Sequence, residues 1–177
     1  MLRISFYGGP GVGKSTLAAK VYAALNQGGT AELVREFVKS WAYEGRQLDI
    51  FDQVYTFANQ LWSEHQLDKA GVKVIVTDSP VLLQCVYADL LDPNIAAHLI
   101  AIAKNYERCR QSLNFLVKRT VVYDPVGRYQ STNELATLDA RIQQCLDEWH
   151  LPYHSVCPDN WQFILQASKE IVQGSYS

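Results

Sequence analysis

The segment Gly8-Gly9-Pro10-Gly11-Val12-Gly13-Lys14-Ser15-Thr16 matches the pattern G-x-x-x-x-G-K-[ST] in full. Before it, residues 2–7 alternate apolar and polar side chains, which predicts a strand, and residues 17–25 after it have helical spacing. A glycine-rich turn from a strand into a helix directs several backbone N–H groups at one point, where the helix dipole adds positive potential. The segment therefore predicts a binding site for a chain of phosphates.

The polar side chains of the segment have distinct predicted roles. The Lys14 ammonium is placed to reach the β- and γ-phosphates of a nucleotide, and the Ser15 hydroxyl is placed to ligate Mg²⁺. Thr16 either caps the helix or contacts the α-phosphate. The residues expected to bind the nucleotide are Gly8, Gly9, Pro10, Gly11, Val12, Gly13, Lys14, Ser15 and Thr16.

The composition is that of an ordinary globular domain. The chain has 177 residues, of which 48% are hydrophobic and 19% are charged, and its net charge is −2. This length suits a single domain, residues 1–177, with its own core. The small net charge gives no general attraction to nucleic acid or to anionic membranes. No apolar run approaches the roughly 20 residues that span a bilayer.

Cysteine usage and the N-terminal sequence predict a cytoplasmic location. The four cysteines are widely spaced and include no C-x-x-C pair, which favours reduced thiols over disulfides or a structural zinc site. The first predicted strand begins at Leu2, so no signal peptide is expected.

Acidic residues follow two further predicted strands. The strand predicted at 30–35 precedes Glu36, and the strand predicted at 72–77 precedes Asp78-Ser79-Pro80. Open parallel sheets bind ligands at the carboxyl edge of their strands, which favours a functional role for both acids. An apolar strand that ends in Asp is typical of a Walker B element, whose acid binds Mg²⁺. The alternatives are purely structural: Glu36 as a favourable acid near a helix N-terminus and Asp78 as a helix cap.

Residues 37–71 are rich in aromatic side chains and predict two helices. Apolar residues at 3.6-residue spacing predict which face of the second helix is buried. The predicted core face comprises Phe51, Val54, Tyr55, Ala58, Leu61, Trp62 and His65. Flat rings and amide groups also suit a planar base. We therefore expect Trp62 in the core and Tyr55 and Gln60 in contact with substrate, with core packing as the alternative.

The segment from Arg108 to Tyr123 contains basic residues and no acidic one. Turn-forming residues follow it, which predicts a lid around 119–132. Arg119 and Arg128 are the candidates for closing over a transferring phosphoryl group, whose developing charge requires cations. The alternative is a solvated basic loop.

Helices and strands alternate along the rest of the chain, which favours a three-layer α/β fold with a parallel sheet. The other predicted helices are 81–91, 94–111, 133–149 and 161–172, and the other predicted strands are 114–117 and 152–156.

Together, these features resemble P-loop kinases of the nucleoside and nucleotide kinase type. Their order and spacing are similar to those of the nicotinamide-riboside kinase domain of NAD-regulating bifunctional proteins and of small kinase-like ATPases of bacteriophages. The resemblance implies a P-loop NTPase fold with five parallel strands in the order 2-3-1-4-5. It also implies ATP with Mg²⁺ as cofactors, and it allows a homodimer.

Arg35-Glu36 resembles the R-E-P motif of thymidylate and deoxynucleoside kinases. This resemblance implies substrate binding by Arg35 and general-base chemistry for Glu36. The sequence departs from those families at Phe37, where they have proline, and at Ser79, where they often have arginine. Both Glu36 and Asp78 stay candidates for the base.

The sequence therefore predicts an ATP-dependent kinase that acts on a nucleoside, a nucleotide or a similar small acceptor, without a membrane partner. The catalytic candidates are Lys14, Glu36, Asp78, Arg119 and Arg128. The candidate metal ligands are Ser15 and Asp78. One alternative is a kinase acting on nucleic acid, supported by the acid-free basic segment. A second alternative is a regulatory ATPase without an acceptor.

Overall fold

The sheet has five strands, and a computed structural model describes residues 1–26, 29, 31–120 and 132–174. The strands are β1 Leu2–Tyr7, β2 Ala31–Val34, β3 Val74–Thr77, β4 Gln111–Val117 and β5 His154–Val156. All neighbouring strands pair in parallel, in the order β2-β3-β1-β4-β5. The predicted fold class and strand order are confirmed.

The central strand β1 fixes the position of the loop that follows it. All of its residues are buried, as expected for a strand covered on both faces. It pairs with β3 from Leu2 to Ser5 and with β4 from Leu2 to Tyr7. Because the strands are parallel, the chain leaves β1, β2 and β3 at the same edge of the sheet, where residues 8–16, Glu36 and Asp78 follow.

Helices cover both faces of the sheet. They are α1 Lys14–Leu25, α2 Lys39–Tyr43, α3 Ile50–Lys69, α4 Val81–Leu91, α5 Pro93–Arg108, α6 Thr132–Glu148 and α7 Trp161–Gly174. Helices α1 and α7 pack on one face against Ile4 and Phe6. Helices α3, α4, α5 and α6 contribute to the core on the other face, which includes Tyr7 and Leu116. No helix within the described ranges is both long enough and apolar enough to cross a bilayer.

Strand β4 begins earlier than the sequence pattern predicted. Helix α5 ends at Arg108, and Gln111 and Ser112 already pair with Leu2 and Arg3 of the central strand. The prediction of helix up to Gln111 was therefore wrong. Its cause is that hydrogen bonds to a neighbouring strand, rather than an apolar pattern, determine where this strand begins.

Helix α3 buries a different face from the predicted one, although Val54 and Leu61 of the predicted face pack partly against the core. Its buried residues are Gln53, Thr56, Phe57, Gln60 and Glu64, whereas Phe51, Tyr55 and Trp62 are 71%, 51% and 56% exposed. The expectation that Trp62 belongs to the core was wrong. The physical reason is that the core beneath α3 offers polar partners: Arg3, Thr77 and Gln84 all bond to the buried face of the helix.

Candidate active site

Residues 8–16 form a tight turn between β1 and α1. Gly8 has φ +140°, and a Cβ there would meet the Val117 carbonyl oxygen at 2.8 Å, so glycine is required at this position. Gly13 caps α1 with φ +99° and offers no side-chain cap, and the first turn of α1 contains no acidic residue. The N-terminal N–H groups of α1 are therefore left for an anion.

The Lys14 side chain lies across this turn. Its Nζ donates a hydrogen bond to the Gly9 carbonyl oxygen at 2.8 Å, and the side chain is buried. Burial lowers the pKa of Lys14, whereas the nearby carboxylates of Glu36, Asp78 and Asp139 oppose that shift. The predicted meeting of Lys14, Glu36 and Asp78 at one edge of the sheet is thus present in the structure.

The two predicted acids are linked to each other. Asp78 Oδ1 accepts a hydrogen bond of 2.9 Å from the Glu36 backbone N–H. This bond follows from the register of β2 and β3, in which Val34 lies opposite Thr77. Glu36 lines the cavity described next, and Asp78 is 4% exposed. The bond fixes the position of Glu36 relative to the end of β3.

A cavity of about 460 Å³ opens in front of the phosphate loop, a size that suits a small organic ligand. It is lined by residues 10–16 of the loop. Its other lining residues include Lys20, Pro158, Glu36, Gln53, Gln84 and Tyr87. One cavity therefore reaches from an anion site to a carboxylate and a polar, partly aromatic wall.

A hydrogen-bonded pair of glutamines forms part of that wall. Gln53 Nε2 donates to Gln84 Oε1 at 2.8 Å, and Gln84 Nε2 donates to Ser79 Oγ at 2.6 Å. These bonds fix the orientation of the Gln53 side-chain amide, whose oxygen Oε1 can then act only as a hydrogen-bond acceptor. Neither glutamine belongs to a recognisable motif. The signal for Gln53 was the polar residues at helical spacing in α3, namely Gln53, Thr56, Gln60 and Glu64.

Three predicted substrate contacts lie elsewhere. Gln60 is buried, and its Nε2 donates to Glu64 Oε1 at 2.9 Å and to Thr77 Oγ1 at 3.2 Å. Tyr55 stacks on Trp41 with ring centroids 5.8 Å apart. Arg35 is exposed. None of the three lines the cavity as it is formed by the described residues.

Arg119 lies beside the phosphate loop. Its Nη1 donates to the Pro10 carbonyl oxygen at 2.9 Å, and its Nε donates to Asp139 Oδ2 at 2.8 Å. Asp139, which no sequence motif indicated, also accepts a 3.0 Å hydrogen bond from the Gly9 N–H. Arg128 and most of the predicted lid lie outside the described residues, so their roles stay predictions.

A family model described as an AAA domain matches residues 3–162. The chain belongs to this AAA-domain family. No curated protein matches the sequence significantly.

Solved structures of several P-loop kinases share the fold. The NadR protein in complex with NR has a TM-score of 0.67 at 13% identity, over 86% of this chain and 43% of NadR. The chain thus spans less than half of NadR. Thymidylate kinase from Ehrlichia chaffeensis has a TM-score of 0.62 at 15% identity, covering 97% of this chain and 98% of the kinase. Deoxyadenosine kinase from M. mycoides has a TM-score of 0.61 at 13% identity, covering 97% of this chain and 99% of that kinase. This AAA-domain protein therefore has the fold of P-loop nucleoside and nucleotide kinases.

Proposed function

We propose that this protein transfers the γ-phosphoryl group of ATP to a hydroxyl group of a nucleoside-like small acceptor. The observation that carries the proposal is the single cavity that joins the phosphate loop to Glu36 and to the Gln53–Gln84 pair. A donor bound at the loop and an acceptor bound at the amides would meet beside the carboxylate. The fold shared with nucleoside and nucleotide kinases supports the same activity.

The chain provides the groups that such a reaction needs. As the acceptor oxygen bonds to the γ-phosphorus, the bond from that phosphorus to the β–γ bridging oxygen breaks and ADP leaves. We assign the hydroxyl proton to Glu36, because Glu36 lines the cavity whereas Asp78 is almost fully buried. Lys14 and the N-terminal N–H groups of α1 stabilise the phosphate charge.

The residues at the loop also fit a hard divalent cation. Mg²⁺ prefers oxygen ligands and neutralises phosphate charge. Ser15 supplies a hydroxyl, and Asp78 supplies the carboxylate oxygen that does not bond to Glu36. Because the described residues contain no cluster of three acidic, His or Cys ligands, phosphate oxygens and waters would complete the coordination.

The proposed location of the protein is the cytoplasm. The four free cysteines support this location.

The test is a transfer assay with γ-labelled ATP and Mg²⁺ against nucleosides, nucleoside monophosphates, nicotinamide riboside and DNA. We expect label to appear on one class of small acceptor, with acceptor-stimulated ADP release. Release of labelled phosphate at a rate that no acceptor changes would overturn the proposal. That result would favour the ATPase function, which the AAA-domain family match also supports.

Transfer to nucleic acid is a second candidate, favoured by exposed aromatic rings on α3. Phe51 and Tyr55 are 71% and 51% exposed, which suits base stacking. The basic segment gives it less support than the sequence indicated. Arg110 lies before the start of β4 and pairs with Asp68, whereas Arg119 lies beyond the end of β4. The two arginines are therefore separated by the length of the strand, about 20 Å. Retention on DNA that falls steeply with salt, together with label on DNA, would favour this function.

A further inference from the structure

An ion pair from outside the phosphate motif contacts the backbone of the phosphate loop. Asp139 of α6 accepts from the Gly9 N–H, while Arg119 donates to the Pro10 carbonyl oxygen. The two side chains meet in two hydrogen bonds, Nε to Oδ2 at 2.8 Å and Nη2 to Oδ1 at 3.2 Å. Both are part-buried, with 21% of the Arg119 and 28% of the Asp139 side chain exposed.

The loop sequence is adapted to this contact. A Cβ at Gly9 would lie 2.3 Å from Asp139 Oδ1 and 3.0 Å from Arg119 Nη2, so any larger residue would displace the pair. Lys14 bonds to the carbonyl of the same Gly9. The Gly9 N–H thus donates to Asp139 and the Gly9 C=O accepts from Lys14, so Gly9 connects α6 to the lysine expected to bind phosphates.

We propose that Asp139 is a positioning residue of the phosphate site, and that Arg119 neutralises its charge there. This inference rests on the proposed function only in that the loop binds the triphosphate. Asp139 orients the Gly9 peptide and Arg119, but it brings a carboxylate close to where phosphates bind. The guanidinium offsets that negative charge, as the opposite effects of Asp139 and Arg119 on the pKa of Lys14 indicate.

The proposal predicts a direction of change in nucleotide affinity that a purely structural ion pair would not produce. Removing Arg119 alone leaves an uncompensated carboxylate beside the loop, which repels the triphosphate. Removing the charge of Asp139 in the same protein relieves that repulsion. The double variant should therefore bind nucleotide more tightly than the Arg119 single variant.

The experiment measures the Kd of a fluorescent ATP analogue with Mg²⁺ for the full chain and for R119A, D139N and R119A/D139N. The amide side chain introduced by D139N would keep an oxygen acceptor for the Gly9 N–H. We expect R119A to weaken binding about 30-fold and D139N about fivefold, with the double variant about fivefold tighter than R119A. A double variant as weak as the product of the two single effects would overturn the proposal.

The matched control is the Arg141–Asp89 pair, which also involves α6 and is similarly part-buried. R141A and D89N should lower the Tm without changing the nucleotide Kd. If they change the Kd as much as R119A and D139N do, general loosening of α6 explains the effect and the proposal fails.

The binding assay also separates this inference from the proposed function. Rescue of nucleotide binding in the double variant, with no acceptor phosphorylated by the unmodified protein, would support the inference and reject the kinase. Phosphorylation without rescue would support the kinase and reject the inference. Absence of nucleotide binding to the unmodified protein would reject both.

Discussion

The phosphate loop and helix α3 both line the candidate active site, but different interactions determine their structures. In the loop, glycines at fixed positions produce the turn, and the start of α1 produces the anion site. In α3, hydrogen bonds to residues distant in sequence determine the buried face. These partners are Arg3 from β1, Thr77 from β3 and Gln84 from α4. A structure set by its own sequence can be predicted from that sequence, whereas a helix face set by distant polar groups cannot.

The buried face of α3 is linked by hydrogen bonds to the end of β3. Gln60 bonds to Thr77, whose Oγ1 in turn accepts from the Ser79 N–H. These contacts connect the helix to the turn that carries Asp78. Gln60, which the sequence placed against substrate, thus supports the position of a candidate metal ligand instead.

The largest expected effect tests the loop. Lys14→Met removes the ammonium that bonds to Gly9 from a residue that lines the cavity. If that ammonium stabilises the transferring phosphoryl group, kcat should fall about 1,000-fold or more. Circular dichroism and Tm should show a folded protein. The matched control is Lys104→Met on the exposed side of α5, which should retain full turnover. Full activity of Lys14→Met would remove the loop from the mechanism.

The next effect tests the buried polar contacts of α3. Arg3 is fully buried and pairs with Glu64 at 2.9 Å and with Glu107. Arg3→Met leaves two carboxylates without their cation, and the free energy of unfolding should fall by about 3–5 kcal/mol. Urea denaturation measures it, with the exposed Arg108→Met as control. A loss below about 1 kcal/mol would mean that α3 does not depend on this partner.

Glu64→Gln should behave differently from Arg3→Met, because Arg3 keeps Glu107. Burial raises the pKa of Glu64, and the charge of Arg3 only partly opposes this. The folded state therefore holds the Glu64 proton to higher pH than the unfolded state does. The contribution of protonated Glu64 to stability is lost as pH rises from about 4 through the raised pKa. The variant should gain stability relative to the unmodified protein over that pH range, as measured by Tm.

Features that depend on a local sequence pattern could be predicted, whereas features that depend on contacts between distant residues could not. Residues 8–16, the strand order and the convergence of Glu36 and Asp78 followed from glycines, apolar strands and a family resemblance. Asp139 was missed because its partner Gly9 is distant in sequence and no motif links them. Gln53 and Gln84 were missed because the polar spacing within α3 does not identify the partner of a buried amide on another helix.

The smallest effect compares two aromatic residues of α3. Phe57 is 3% exposed and Trp62 is 56% exposed, although only Trp62 belongs to the apolar stripe in the sequence. Phe57→Ala should lower the free energy of unfolding by about 3–4 kcal/mol, and Trp62→Ala by about 1 kcal/mol or less. Urea denaturation of both variants measures the difference.

Protein concentration sharpens this comparison, because Trp62 and Ile102 border an apolar groove between α3 and α5. If the chain alone determines the exposure of Trp62, the cost of Trp62→Ala should be the same at micromolar and at tenfold higher concentration. A cost that rises with concentration to match that of Phe57→Ala would mean that a second copy covers Trp62. The apolar stripe would then have predicted a buried face correctly, but one buried between chains rather than within one.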